Sequence, residues 1–153
     1  MRIDDIEKDL ITAVKSRDRV KSEALRFLIS EIRYSGIARY GAGWESDMTA
    51  ADIAAVIQQQ VKRHRESIDA YKSAGRDDLV SKETAELKIL TAYQPQQIGD
   101  ADLKKLLAEV AASGEKNFGL LMKQAMVGLA GKADGARVSA MLREILSGKA
   151  GVK

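Results

Sequence analysis

A chain of 153 residues has room for one full hydrophobic core or two small ones. Charged residues make up 31% and hydrophobic ones 45%, a balance that excludes disorder along most of the length, and a net charge of +3 names no partner by itself. With no cysteine, disulfides, thiol nucleophiles, zinc–cysteine sites and iron–sulfur clusters are excluded together.

Ala, Leu, Glu, Lys, Arg, Gln and Met dominate, and the β-branched clusters and two-residue alternation of strands are hard to find, so the chain is predicted to be all-α. The organisation expected is an N-terminal bundle of about four helices over 1–95, a small three-helix module over 96–148 and a frayed tail over 149–153, with Ser147 and Gly148 leading into that tail. Acids near the start stand where a secretory peptide needs an apolar run, and no stretch is long and apolar enough for a bilayer. A cytoplasmic protein without membrane contact is expected.

The first helix is predicted over 4–16, with Ile3, Ile6, Leu10, Ala13 and Val14 on one face. Asp18 can cap the second, which runs from Arg19 to about Arg39. Its apolar set, Val20, Ala24, Leu25, Phe27, Leu28, Ile29 and Ile32, is too broad for one seam and predicts packing on two sides. Residues 40–47 carry two glycines and turn formers and read as a loop, which Trp44 anchors to the bundle.

Thr49 followed three residues later by Asp52 is a capping signature, and it opens a long helix to about Ala74. His64 lies in the apolar stripe of that helix. Without a second metal ligand or a nucleophile at hand, it reads as a packed, hydrogen-bonded residue. Lys62, Arg63 and Arg65 are followed by Glu66 and Asp69, the mixed pattern of a solvated face. Gly75 ends the helix, and Asp77 and Asp78 are expected to cap the next one. That helix runs to about Tyr93, where Gln94-Pro95 stops it and marks the joint between domains.

Three shorter stripes follow: Leu103, Leu106, Leu107 and Val110; then Phe118, Leu121, Met122, Ala125 and Met126; then Val138, Met141, Leu142, Ile145 and Leu146. Asp100, Asn117 and Asp134 are their expected caps, and the three stripes can close one small core. Charge divides at the proline. Residues 1–95 hold sixteen basic and sixteen acidic residues, whereas 96–153 hold nine and six, so the whole excess lies in the second part.

Gly131-Lys132-Ala133-Asp134-Gly135 has the ingredients of a phosphate cradle and fails as one. No strand precedes it, the glycine spacing is wrong, no hydroxyl follows the lysine, and Asp134 would repel a phosphate at the amides it caps. The turn reads instead as a helix ended by Gly128 or Gly131, a cap at Asp134, and a Gly135 that lets backbones approach. One histidine on an apolar stripe, with serines and threonines mostly at caps and turns, offers no nucleophile–base pair, no metal cluster and no cofactor site.

Leu25-Arg26-Phe27-Leu28-Ile29, Arg63-His64-Arg65-Glu66-Ser67-Ile68, Ala74-Gly75-Arg76-Asp77-Asp78-Leu79, Tyr93-Gln94-Pro95-Gln96-Gln97-Ile98, Phe118-Gly119-Leu120-Leu121-Met122-Lys123 and Gly131-Lys132-Ala133-Asp134-Gly135, in that order, resemble the YqeY-like family over nearly the whole chain. That family is similar to the C-terminal tail of the GatB subunit of the amidotransferase that converts glutamate to glutamine on misacylated tRNA. The resemblance implies two helical subdomains. It also implies contact with tRNA, because the tail of the fused enzyme helps hold tRNA while other domains carry the chemistry. A label of carbon–nitrogen ligase activity with glutamine as amido donor would be inherited from that relative. The chain departs from the usual pattern at Gln94, where leucine is common, at Ile98-Gly99-Asp100, and at Lys132, where arginine is usual and bidentate phosphate geometry is lost.

The function expected is an accessory protein that binds tRNA or another structured RNA, not DNA, without catalysis of its own. Its contacts are expected at Lys123, Lys132 and Arg137, with Lys104 and Lys105 as outer contributions, on a turn shaped by Gly131, Asp134 and Gly135. The alternative is a protein-interaction module, with a partner in the translation apparatus, that uses the three-helix unit with Met122, Met126 and Met141 or the region of Trp44. Amide transfer by the chain itself ranks last.

Overall fold

In a computed structural model the described residues, 1–148, form eight helices and no strand. The tail expected over 149–153 lies outside them. The chain divides into two compact units, Met1–Gln94 and Pro95–Lys153.

The first unit holds α1 (Ile3–Lys15), α2 (Arg19–Tyr40), the single turn α3 (Trp44–Asp47), α4 (Ala50–Ser73) and α5 (Asp77–Thr91). Asp18 caps α2 by accepting from the Lys21 amide at 3.0 Å. Thr49 and Asp52 form a reciprocal capping box on α4: the Thr49 hydroxyl accepts from the Asp52 amide, and the Asp52 carboxylate accepts from the Thr49 amide. The core is built from Ile6, Leu25, Leu28, Ile29, Ile32, Trp44, Ile53, Val56, Ile57, Val61 and Leu90. On α2 the buried positions 22, 24, 25, 28, 29, 32 and 36 cover a broad helical face. Phe27 points about 200° around the helix from Leu25 and is 51% exposed, and Val20 is exposed as well, so these two leave the expected apolar set, while the rest packs against α1 on one side and α4 and α5 on another. Val14 likewise leaves the buried face of α1.

Residues 40–47 are not wholly loop, since α3 makes one turn that seats Trp44 in the core. Asp77 and Asp78 do not occupy the cap of α5, which is Arg76; they sit in its first turn, where their charge suits the free amides. Asp78 instead takes the Arg76 guanidinium in two hydrogen bonds of 3.1 Å, and that contact lowers its pKa.

The second unit holds α6 (Asp100–Ala111), α7 (Phe118–Leu129) and α8 (Gly135–Leu146). Leu103, Leu107, Leu121, Ala125, Leu129, Ala133, Val138 and Leu142 form its own core, with Met122, Met126 and Met141 half-buried against it. Asn117 caps α7 and Asp134 caps α8. Asp100 is not a cap: Gly99 holds that position on α6, which leaves the Asp100 carboxylate free for a long-range partner.

Candidate functional site

The turn between α7 and α8 is held from three directions. Ala130 closes α7 in the left-handed region at φ 45°, and Gly131 follows at φ 83°, a conformation that glycine adopts without steric cost. The Gly131 carbonyl accepts from Gln97 Nε2 at 3.1 Å, and the Lys132 carbonyl accepts from the Ile98 amide at 2.8 Å. Ala133 is fully buried. Asp134 then accepts from the Arg137 amide at 2.9 Å and starts α8. Hydrogen bonds to the backbone, from both main chain and side chains, and one buried methyl therefore fix the turn, and the Lys132 side chain is exposed to solvent. Gly135 plays a smaller part than the sequence implied. A Cβ there would meet no atom within 4 Å, so no close approach calls for glycine.

The basic residues around this turn divide by environment. Lys104 and Lys105 on α6, Lys123 on α7 and Lys132 in the turn are exposed, and among the described residues none has a carboxylate within ion-pair distance. Lys116, which precedes α7, is in the same state. Arg137 differs. Its side chain is 30% exposed, and its guanidinium donates twice to Asp100 Oδ1, through Nε at 3.1 Å and through Nη2. That ion pair ties α8 to the start of α6 and occupies the charge that the sequence assigned to RNA. Arg143 lies over the Phe118 ring, 5.1 Å from its centroid.

In the first unit Trp44 is buried against Gly36. Next to it, Asp52 takes the Arg39 guanidinium at 2.5 Å and the Tyr40 hydroxyl at 2.8 Å. Burial would raise the Asp52 pKa, yet the hydrogen bonds from Thr49 and Tyr40 and the charge of Arg39 outweigh it and hold the carboxyl below its usual range. The pKa of Tyr40 rises, chiefly because its hydroxyl donates to that carboxylate.

His64, read from the sequence without a second ligand at hand, has two carboxylates beside it. Its Nδ1 lies 2.5 Å from Glu83 Oε2 and 3.9 Å from Glu86 Oε2. The signal was present in the hairpin arithmetic: His64 stands eleven residues before Gly75 and Glu86 eleven after, so antiparallel α4 and α5 bring them level.

Among the described residues no helix is long and apolar enough to cross a membrane. The chain is similar to fungal proteins named "Altered inheritance of mitochondria protein 41, mitochondrial". The relative from Pyrenophora tritici-repentis is 26% identical over 150 residues, covering 94% of this chain and 80% of that protein. The one from Saccharomyces cerevisiae strain YJM789 is 30% identical over 118 residues, covering 72% of this chain and 62% of that protein. These names overturn the cytoplasmic placement expected from composition. Lack of cysteine and of a bilayer-length apolar run does not separate one reducing compartment from another, so the inference had no power to choose. The family model described as Yqey-like protein matches residues 3–146, and the chain belongs to the YqeY-like family.

Proposed function

We propose that this chain is an RNA-contacting accessory protein whose second unit offers Lys104, Lys105, Lys123 and Lys132 to the phosphates of tRNA or another structured RNA. The observation that carries the reading is that all four lysines are exposed and unpaired among the described residues, on a unit with its own buried core. Arg137 serves as a strut through Asp100, and the acids that could oppose RNA are partly engaged: Asp134 at the α8 amides and Asp100 with Arg137. Of the nine cations beyond Pro95, Lys149 and Lys153 lie outside the described residues.

Phosphate contacts of this kind release counterions, so affinity falls with salt. If three or four lysines engage, log affinity against log salt should have a slope of roughly −2 to −4. Fluorescence anisotropy of labelled tRNA at several salt concentrations tests this. Alanine at the four lysines should flatten the slope and weaken binding, whereas Arg137→Ala should act mainly on stability. Absence of binding at low salt, or binding unchanged in the four-lysine variant, overturns the reading.

A further inference from the structure

We propose that His64, Glu83 and Glu86 form a binding site for a divalent transition-metal ion of the zinc class. The site is independent of the RNA reading and lies wholly in the first unit. His64 comes from α4 and the two glutamates from α5, three residues apart on one helical face. One ligand atom from each lies within 4.8 Å of the others. The side chains are 12%, 19% and 18% exposed, shielded but reachable from solvent.

Charge gives the second reason. Among the described residues no lysine or arginine nitrogen comes within 4.0 Å of either carboxylate; their one cationic or potentially cationic neighbour is the imidazole. Of the cations near His64 in the chain, Lys62 lies 3.9 Å from Glu66 and Arg63 3.4 Å from Glu31, while Arg65 and Lys82 come within 4.0 Å of neither site carboxylate. Two half-buried carboxylates and an imidazole keep a net negative charge whichever protonation state the ring adopts, and a divalent ion neutralises it.

The donor set selects the ion. One imidazole nitrogen with two carboxylate oxygens suits a borderline ion such as zinc, and leaves positions for water or a further ligand. Metal–ligand bonds of about 2.0–2.2 Å place tetrahedral ligand atoms roughly 3.4 Å apart, between the 2.5 Å and 3.9 Å seen from Nδ1 to the two carboxylates. Small side-chain rotations suffice to admit the ion. His64 is the single histidine and there is no cysteine, so no second imidazole or thiolate site can compete.

The test uses the full untagged chain with zinc chloride as the probe. Equilibrium dialysis followed by elemental analysis should show about one zinc per chain. Glu83→Gln and Glu86→Gln should each weaken binding by at least the roughly ten- to hundredfold found for changes around metal ligands. Long-range ¹H–¹⁵N spectra of the one imidazole should shift on zinc addition in the wild type. Far-UV circular dichroism establishes that each variant is folded; if one is not, the other variant and the wild-type imidazole shift decide. No retained zinc, retention unchanged by either folded variant, or an imidazole that zinc leaves unmoved overturns the proposal.

Discussion

A methyl group at position 36 would stand 2.3 Å from Trp44 Cε3 and 2.8 Å from Cδ2, well inside van der Waals contact. Gly36 is thus the seat of the tryptophan, and Gly36→Ala must push α3 away from α2 at a cost of roughly 1–3 kcal/mol. Because Trp44 is the only tryptophan, a red-shifted emission and a lower denaturation midpoint should report the change directly. Asp52 supports a second expectation at this scale. Its carboxylate serves the cap of α4, Arg39 and Tyr40 together, so Asp52→Asn should cost about 1–2 kcal/mol. Its folded pKa is lowered, so the stability it contributes is present above the ordinary aspartate range and is lost as pH falls through the folded value. Urea melts of the variant and the wild type should therefore differ at neutral pH and converge as pH falls below the ordinary aspartate range.

Helices were the part most open to sequence reading, because their ends carry chemical marks. Asp18, Thr49, Asn117 and Asp134 stand where free amides need acceptors, and each accepts the expected backbone hydrogen. What the apolar pattern left open was which side of a helix faces a neighbour. Phe27 and Leu28 are adjacent and equally apolar, yet one is half-exposed and the other fully buried, since only packing selects the stripe. Gln60 shows the converse: a polar residue buried to 2% exposure because Glu31, on α2, accepts from its amide at 2.9 Å. Tyr93 hydrogen-bonds Asp9 at 2.6 Å across 84 residues, a pairing that spacing along one helix does not reveal. Burial and that acceptor both raise the tyrosine pKa, which leaves the phenol un-ionised at any ordinary pH.

At the scale of the whole molecule, two sets of apolar residues close two cores, one in each unit. Leu107→Ala removes a fully buried side chain from the second and should cost roughly 2–5 kcal/mol there. Trp44 belongs to the first. We expect far-UV circular dichroism to show an earlier loss of helix in this variant while the Trp44 fluorescence transition stays near its wild-type position. A shift of both together would show that the cores unfold as one.

The helical class, most helix ends and the positive balance beyond Pro95 are legible in the amino-acid order alone, because periodicity, caps and charge are local properties of the chain. Its ordered motifs also pointed to the family, which the match over residues 3–146 establishes. Which charged residues are available depends on the folded arrangement. Arg137 is drawn to Asp100 thirty-seven positions away, whereas Lys132 has no ion-pair partner among the described residues, and His64 meets Glu83 and Glu86 only because α4 and α5 fold back at Gly75. Pairing depends on distance in space, and a sequence records distance along the chain.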